Sequence, residues 1–164
     1  MLNMKDKPPL PVRKRIRLSN FDYSQDGYYF VTVCSENKEN IFGDIKDCKS
    51  NHVRLSLYGQ IIKKHICRIS SHYQRVRVDK YVIMPNHIHL IVVIGCDGKQ
   101  SVGKQPTLAN IIGSLKAGVT MEIGKTVWQT RFHDHVIRNE KSYLKIWNYI
   151  DTNPLQWEKD IFYW

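Results

Sequence analysis

The chain has 164 residues, of which 42% are hydrophobic and 24% are charged. This is the composition of an ordinary globular domain, and it excludes an intrinsically disordered or collagen-like chain. Lys and Arg outnumber Asp and Glu by 25 to 15, and the resulting net charge of +10 favours anionic partners such as nucleic acid. The longest apolar run, Leu90 to Ile94, is too short to cross a bilayer.

The N-terminal residues and the cysteines indicate a cytoplasmic protein. No apolar signal-peptide core is visible at the start of the chain. The four cysteines include no C-x-x-C pair, which argues against a cysteine zinc site. A chain of this size can build its core without disulfides, so we expect reduced thiols.

The first feature along the chain is a basic, proline-rich arm, which we assign to residues 1–14. Half of the net charge lies within residues 1–17, which carry six basic residues and one acidic residue. The same stretch contains three of the six prolines, and prolines favour an extended segment. We expect one folded domain to follow at residues 15–158, and then a short aromatic tail at residues 159–164.

The first half of the domain predicts a strand, a helix and a pair of strands. Residues 27–35 are aromatic and β-branched, which is typical of a buried strand. Ser56 is a suitable N-cap for a helix in which apolar residues recur every three or four positions. The predicted elements are strand 27–35, a short hairpin near 41–45, helix 57–70, and strands 76–84 and 87–94 with a tight break at Pro85-Asn86 between them.

The second half predicts a helix, an extended segment and a final helix. Thr107 is the N-cap of the first helix, and Pro154 ends the last one. The predicted elements are helix 108–122, an extended segment 127–137, and a helix that begins at Asn139 or Glu140. The first six elements have the order βαββαβ, so we predict an α+β, ferredoxin-like fold: an antiparallel sheet with helices on one face, followed by a C-terminal helix.

The most informative motif is His87-Ile88-His89, at the start of strand 87–94. Residues two apart on a strand point to the same face, so the two imidazoles stand side by side. Neutral imidazoles suit a divalent metal ion. A pair with this spacing is more often an incidental polar patch, but this pair opens an apolar central strand, where histidines need a specific role.

A second pair, His133-Asp134-His135, is an equal metal candidate by spacing alone. Arg131, Asp134 and Arg138 make its surroundings more polar. A solvated or hydrogen-bonding role therefore fits this pair better, and we rank it second as a metal site.

The final helix carries Tyr149 and Asn153, which are four residues apart and share one face. Tyr149 can bring a hydroxyl to a metal site, and Asn153 can bring a carbonyl oxygen. The alternative is that Tyr149 only packs and that Asn153 is a helix cap before Pro154. Tyr143 is about 240° away around the helix, so the two tyrosines cannot face the same site.

Three stretches of the chain resemble one known family. The HUH motif (histidine-hydrophobic-histidine) of single-tyrosine transposases resembles residues 81–94, YVIMPNHIHLIVVI. The opening and C-terminal blocks of the REP-associated tyrosine transposase branch are similar to residues 15–43, RIRLSNFDYSQDGYYFVTVCSENKENIFG, and residues 128–158, WQTRFHDHVIRNEKSYLKIWNYIDTNPLQWE. The resemblance covers most of the chain.

The resemblance implies a metal-dependent DNA strand transferase that acts on single-stranded or hairpin DNA. It implies that His87 and His89 bind Mg²⁺ or Mn²⁺ and that Tyr149 is the nucleophile. Asn153 takes the position of a third metal ligand, where the family often has glutamine. The implied reaction forms a covalent 5′-phosphotyrosine, which stores the energy for rejoining. The family also implies a prokaryotic, nucleoid-associated protein that is either a monomer or a homodimer.

Further DNA contacts are expected from basic and aromatic residues near these motifs. The basic residues can hold phosphates or form surface salt bridges, and Trp128 can stack on a base or belong to the core. The candidates are Arg13, Lys14, Arg15, Arg17, Arg131, Arg138 and Trp128.

Two other functions stay open at this stage. A non-catalytic nucleic-acid-binding module uses the same fold and charge, and its binding ignores both the metal and His87. A metal-dependent nuclease that attacks with water forms no covalent intermediate.

Overall fold

The computed structural model describes residues 21–46, 52–95 and 105–160. The basic arm and residues 161–164 of the aromatic tail lie outside the described residues. The predicted DNA contacts Arg13, Lys14, Arg15 and Arg17 therefore lie outside them too.

Within the described residues, the fold has a four-stranded antiparallel sheet and three α-helices. Its strands are β1 (Gly27–Cys34), β2 (Gly43–Asp44), β3 (Arg54–Leu55), β4 (Val76–Ile83), β5 (His87–Ile94) and β6 (His133–Ile137). Its helices are α1 (Leu57–His72), α2 (Leu108–Ile123) and α3 (Glu140–Thr152). The main sheet has the strand order β4-β5-β1-β6, and β2 pairs with β3 separately. The predicted α+β fold with a βαββαβ core is confirmed.

The predicted hairpin near 41–45 is wrong in its partner, because β2 pairs with the unpredicted strand β3, and the other differences lie at the ends of elements. Only residues 133–137 of the expected extended segment form a strand, and Trp128 joins the sheet through a single bridge to Ser35. The α-helix ends at Thr152, but the chain continues as a 3-10 segment, Asn153–Lys159, because proline is tolerated in the first turn of a helix. None of the described helices is long and apolar enough to cross a membrane.

Polar side chains fix where the helices begin. The Ser56 hydroxyl accepts a hydrogen bond from the amide of Gly59, and the Asn139 side chain accepts one from Ser142. Thr107 forms a capping box with Asn110 at the start of α2. These caps satisfy amide groups that have no partner within the helix, as the sequence predicts for Ser56 and Thr107.

The sheet is covered on both faces, by different helices. The helices α1 and α2 bury one side of β5 through Ile88, Leu90, Val92 and Ile94. On the other face, Ile91 and Val93 pack with Ile150 of α3. β5 is therefore buried on both sides, which explains its nearly continuous apolar sequence. The alternation also directs His87 and His89 to the α3 face.

Gly59 is a position at which a larger residue has no room. A Cβ atom there would lie 2.1 Å from the carbonyl oxygen of Phe42. We expect Gly59→Ala to lower the free energy of unfolding by about 1–3 kcal/mol, because backbone must shift. Urea unfolding measures this, with Gly113→Ala as the control. Gly113 lies within α2 with nothing near its missing Cβ, so alanine there should raise stability by about 0.5–1 kcal/mol. Equal effects of the two substitutions would contradict the packing described.

Candidate active site

Two buried histidines form the centre of the site. His87 and His89 are 0% and 1% exposed, and their Nε2 atoms lie 3.0 Å apart. Nδ1 of His87 lies 2.9 Å from the amide oxygen of Asn86. Nδ1 of His89 lies 2.8 Å from the hydroxyl of Thr32 on β1. These partners hold both rings with Nε2 directed towards the same point.

The arrangement suits a cation between the rings. The amide of Asn86 donates to the carbonyl of Lys38, so its oxygen faces His87 and accepts from the Nδ1 proton. The Nε2 atom of His87 then carries a lone pair. The Nε2 atoms of His87 and His89, 3.0 Å apart, are the nitrogens that would hold such an ion.

Burial keeps both imidazoles neutral. Desolvation lowers the pKa of His87 to about 4, and the nearby Asp160 carboxylate only partly opposes this. Desolvation and the neighbouring His87 lower the pKa of His89 well below its ordinary value. A neutral imidazole is the form that binds a metal ion, so the site offers its ligands without first losing protons.

Tyr149 of α3 lies against this histidine pair. Its hydroxyl oxygen is 3.3 Å from Nε2 of His89, and its ring meets Phe30 of β1 edge to face. Ile150, the next residue, is buried against the sheet and fixes the helix in place. Desolvation, followed by the charge of Asp160, raises the pKa of Tyr149 to about 12, so without a cation the phenol stays protonated.

Asn153 and Asp160 complete the cluster. Asn153 is 2% exposed, and its amide nitrogen donates to Asp160 at 2.6 Å. The Oδ1 atom of Asn153 is buried and has no hydrogen-bond partner within the described parts of the chain. Ligand atoms of His87, His89 and Asp160 all lie within 4.8 Å of one another. Two neutral imidazoles, a carboxylate and an unpaired amide oxygen are a donor set that fits a divalent metal ion.

Asp160 is not among the site residues predicted from the sequence. Asp160 directly follows the 3-10 segment. The end of this segment lies beside the histidines, where Trp157 packs against the His87 ring. Asp160 has no regular spacing from Tyr149 or Asn153, because the segment between them is kinked at Gln156. The only signal was an acidic residue shortly after the final helix, which is too common to be informative.

Comparisons with known proteins find similar chains, and one of them is a tyrosine transposase. No protein-family model matches the chain. An uncharacterized protein of Haemophilus influenzae is 37% identical over 170 residues, which cover 92% of this chain and 93% of that protein. A REP-associated tyrosine transposase of Escherichia coli K12 is 26% identical over 147 residues, covering 87% of this chain and 76% of the transposase. The chain is thus similar to a REP-associated tyrosine transposase, in agreement with the resemblance of its sequence motifs.

A solved structure supports the shared fold. A REP-associated tyrosine transposase bound to a REP hairpin matches with a TM-score of 0.63 and 21% identity, covering 88% of this chain and 74% of that one. The four-stranded antiparallel sheet and the C-terminal helix are thus features of the transposase fold.

Other residues that the sequence singles out have partners or surroundings outside the cluster. The Tyr143 hydroxyl donates to Asp79 on β4, so the two tyrosines face different sites, as the helical spacing predicts. His133 and His135 are exposed on β6. Arg131 lines an open surface cavity beside Glu36.

Trp128 belongs to the core. It is 4% exposed, and its ring centroid lies 5.0 Å from that of Phe42. A base can stack only on an accessible ring face, so the suggested stacking role does not fit this position. The alternative reading of Trp128, as a core residue, agrees with the structure.

Proposed function

We propose that the protein nicks and rejoins single-stranded DNA beside a hairpin, with Tyr149 as the nucleophile. The observation that carries this proposal is the position of the Tyr149 hydroxyl, 3.3 Å from Nε2 of His89 within a buried cluster of metal-ligand type. A tyrosine that served only for packing would not need to place its hydroxyl beside two neutral histidines whose Nε2 atoms face the same point.

In this proposal, His87 and His89 hold a divalent metal ion, with Asp160 and Asn153 as the candidate oxygen ligands. When bound, the ion polarises the scissile phosphate and stabilises the negative charge on the phenol oxygen. Two imidazoles favour Mn²⁺ over Mg²⁺, because Mg²⁺ prefers an all-oxygen shell. Thr32 and Asn86 orient the two rings through hydrogen bonds to Nδ1.

The proposed transfer of the phosphate to Tyr149 needs no external energy source. The Tyr149 oxygen attacks phosphorus, and the bond from phosphorus to the 3′ oxygen breaks. The phenol gives up its proton to water, and the leaving 3′ oxygen takes one up. The product is a 5′-phosphotyrosine and a free 3′-hydroxyl, and attack by a 3′-hydroxyl reverses the step. ATP is therefore not required.

Hairpin DNA is the substrate that the family supports best. The related transposase of known structure was solved with a REP hairpin. The net charge of +10 suits binding to phosphates, since each contact releases counterions.

The test is a denaturing gel of the protein mixed with labelled hairpin DNA that carries single-stranded flanks. With Mn²⁺ we expect a labelled band at the mass of a protein–DNA adduct, and EDTA should abolish it. A nick without an adduct would indicate attack by water. Salt-sensitive binding that ignores Mn²⁺ and yields neither product would indicate a non-catalytic binding module.

A separate prediction concerns the oxygen ligands. We expect Asp160→Asn to weaken Mn²⁺ binding by about tenfold or more, because it removes the negative charge of the cluster. Isothermal titration calorimetry on the purified protein measures this. Asp134→Asn, an acidic residue on β6 outside the cluster, is the control. Unchanged affinity in Asp160→Asn would leave Asn153 as the oxygen ligand.

A further inference from the structure

Strand β4 contains one residue more than its pairing with β5 requires. The two strands pair in register from Val76 to Val78, but Asp79 has no opposite residue on β5, and Lys80 pairs with Ile91. In a regular strand, residues two apart share a face. Val78 packs in the core under α1 and α2, whereas Lys80 lies beside Ile91 on the α3 face. The bulge at Asp79 therefore directs Lys80 away from the α1–α2 core and towards α3.

Asp79 and Lys80 both contact α3. The Tyr143 hydroxyl donates to the Asp79 carboxylate at 3.1 Å, beside a pocket of about 470 Å³ that Arg138 also lines. The Lys80 ammonium forms an ion pair with Asp151. The bulge thus contacts the first turn of α3 through Tyr143 and the last turn through Asp151.

The Lys80 contact lies close to Tyr149 along the helix. The Lys80 ammonium lies 4.9 Å from the centre of the Trp147 ring and pairs with Asp151, one turn further on. At about 100° per residue, Trp147 and Asp151 share one flank of α3, and Tyr149 lies on the opposite flank. Ile150, between the two flanks, is buried against the sheet. Lys80 therefore holds the flank of α3 that is opposite Tyr149.

We propose that Lys80 is a positioning residue for Tyr149. Apolar packing under α3 is not directional, so it does not by itself fix the rotation of the helix about its axis. An ion pair on one flank opposes that rotation, which would move the phenol oxygen away from His89, whose Nε2 atom is 3.3 Å away. A displacement of about 1 Å can lower a reaction rate about 100-fold. This inference rests on the proposed function.

The experiment measures the rate of adduct formation at saturating flanked hairpin DNA and saturating Mn²⁺. Lys80→Met keeps the length of the side chain but removes its charge, and we expect the rate to fall about tenfold. Mn²⁺ affinity should be unchanged, because Lys80 contacts Asp151 and Trp147 rather than the metal-ligand cluster. Lys80→Arg should keep the rate within about twofold, since a guanidinium also pairs with a carboxylate.

Two further variants complete the comparison. Asp151→Asn removes the other half of the ion pair and should slow adduct formation to a similar extent. Lys145→Met removes an exposed cation from the same helix and should leave the rate unchanged. Melting temperatures should differ little, because partly exposed ion pairs contribute little to stability. A rate in Lys80→Met equal to that in Lys145→Met overturns the proposal, as does a fall in rate that Lys80→Arg shares.

The outcome is separable from that of the proposed function, because hydrogen exchange of α3 is measured without DNA. We expect the amides of Glu140–Thr152 to exchange faster in Lys80→Met than in Lys145→Met, and those of Leu57–His72 in α1 to be unchanged. Faster exchange in a protein that never forms an adduct would keep the role of Lys80 and reject Tyr149 as a nucleophile. An undiminished rate in Lys80→Met, with unchanged exchange, would reject Lys80 and keep the catalytic proposal.

Discussion

Tyr149→Phe is expected to form no covalent adduct with hairpin DNA, and strand cleavage should fall by at least about 10³-fold. The substitution removes one oxygen atom and leaves the ring between Phe30 and His89. The fold and hairpin binding should therefore be unchanged. Denaturing gels measure the adduct, and anisotropy measures binding.

Tyr143→Phe is the matched control for this prediction. It removes a hydroxyl from the same helix, but that hydroxyl contacts Asp79 at 3.1 Å and not the histidines. We expect adduct formation close to that of the unmodified protein. An adduct that persists in Tyr149→Phe, or that disappears in Tyr143→Phe instead, would contradict the assignment of the nucleophile.

The second large effect concerns the metal. We expect His89→Gln to weaken Mn²⁺ binding by at least about 100-fold, because one of two convergent nitrogen ligands is lost. Calorimetry measures the affinity. The rise in melting temperature that Mn²⁺ causes gives a second readout, since a ligand that binds only the folded state stabilises it. Glutamine keeps a polar group in the buried site, so this variant is more suitable than alanine.

The variant His133→Ala/His135→Ala tests whether Mn²⁺ binds at the second histidine pair. The pair has the same spacing as His87 and His89, but it is exposed on an edge strand. Among the described residues, the one cluster of metal-ligand type is His87, His89 and Asp160. Mn²⁺ affinity should therefore be unchanged in this variant. If affinity fell in this variant but not in His89→Gln, the metal site would lie on β6.

The helices and strands could be predicted because the residue patterns that indicate them lie within short stretches of the chain. The helix starts at Ser56 and Thr107 follow from side chains that cap the amides of the next turn. The continuous apolar run of β5 follows from its burial on both faces. The position of α3 on the face opposite α1 and α2 could not be read in this way, because an apolar helix stripe does not identify the surface that it covers.

The amino-acid sequence by itself determined the elements, the shared face of His87 and His89, and the shared face of Tyr149 and Asn153, since each depends on the repeat of one strand or helix. Only the tertiary structure decided that these two faces meet, that Asp160 joins them across a kinked segment, and that Trp128 is buried. It also decided that His133 lies in the same row as His89. These relations join residues far apart in the chain, so they depend on strand register and packing, which no local pattern encodes.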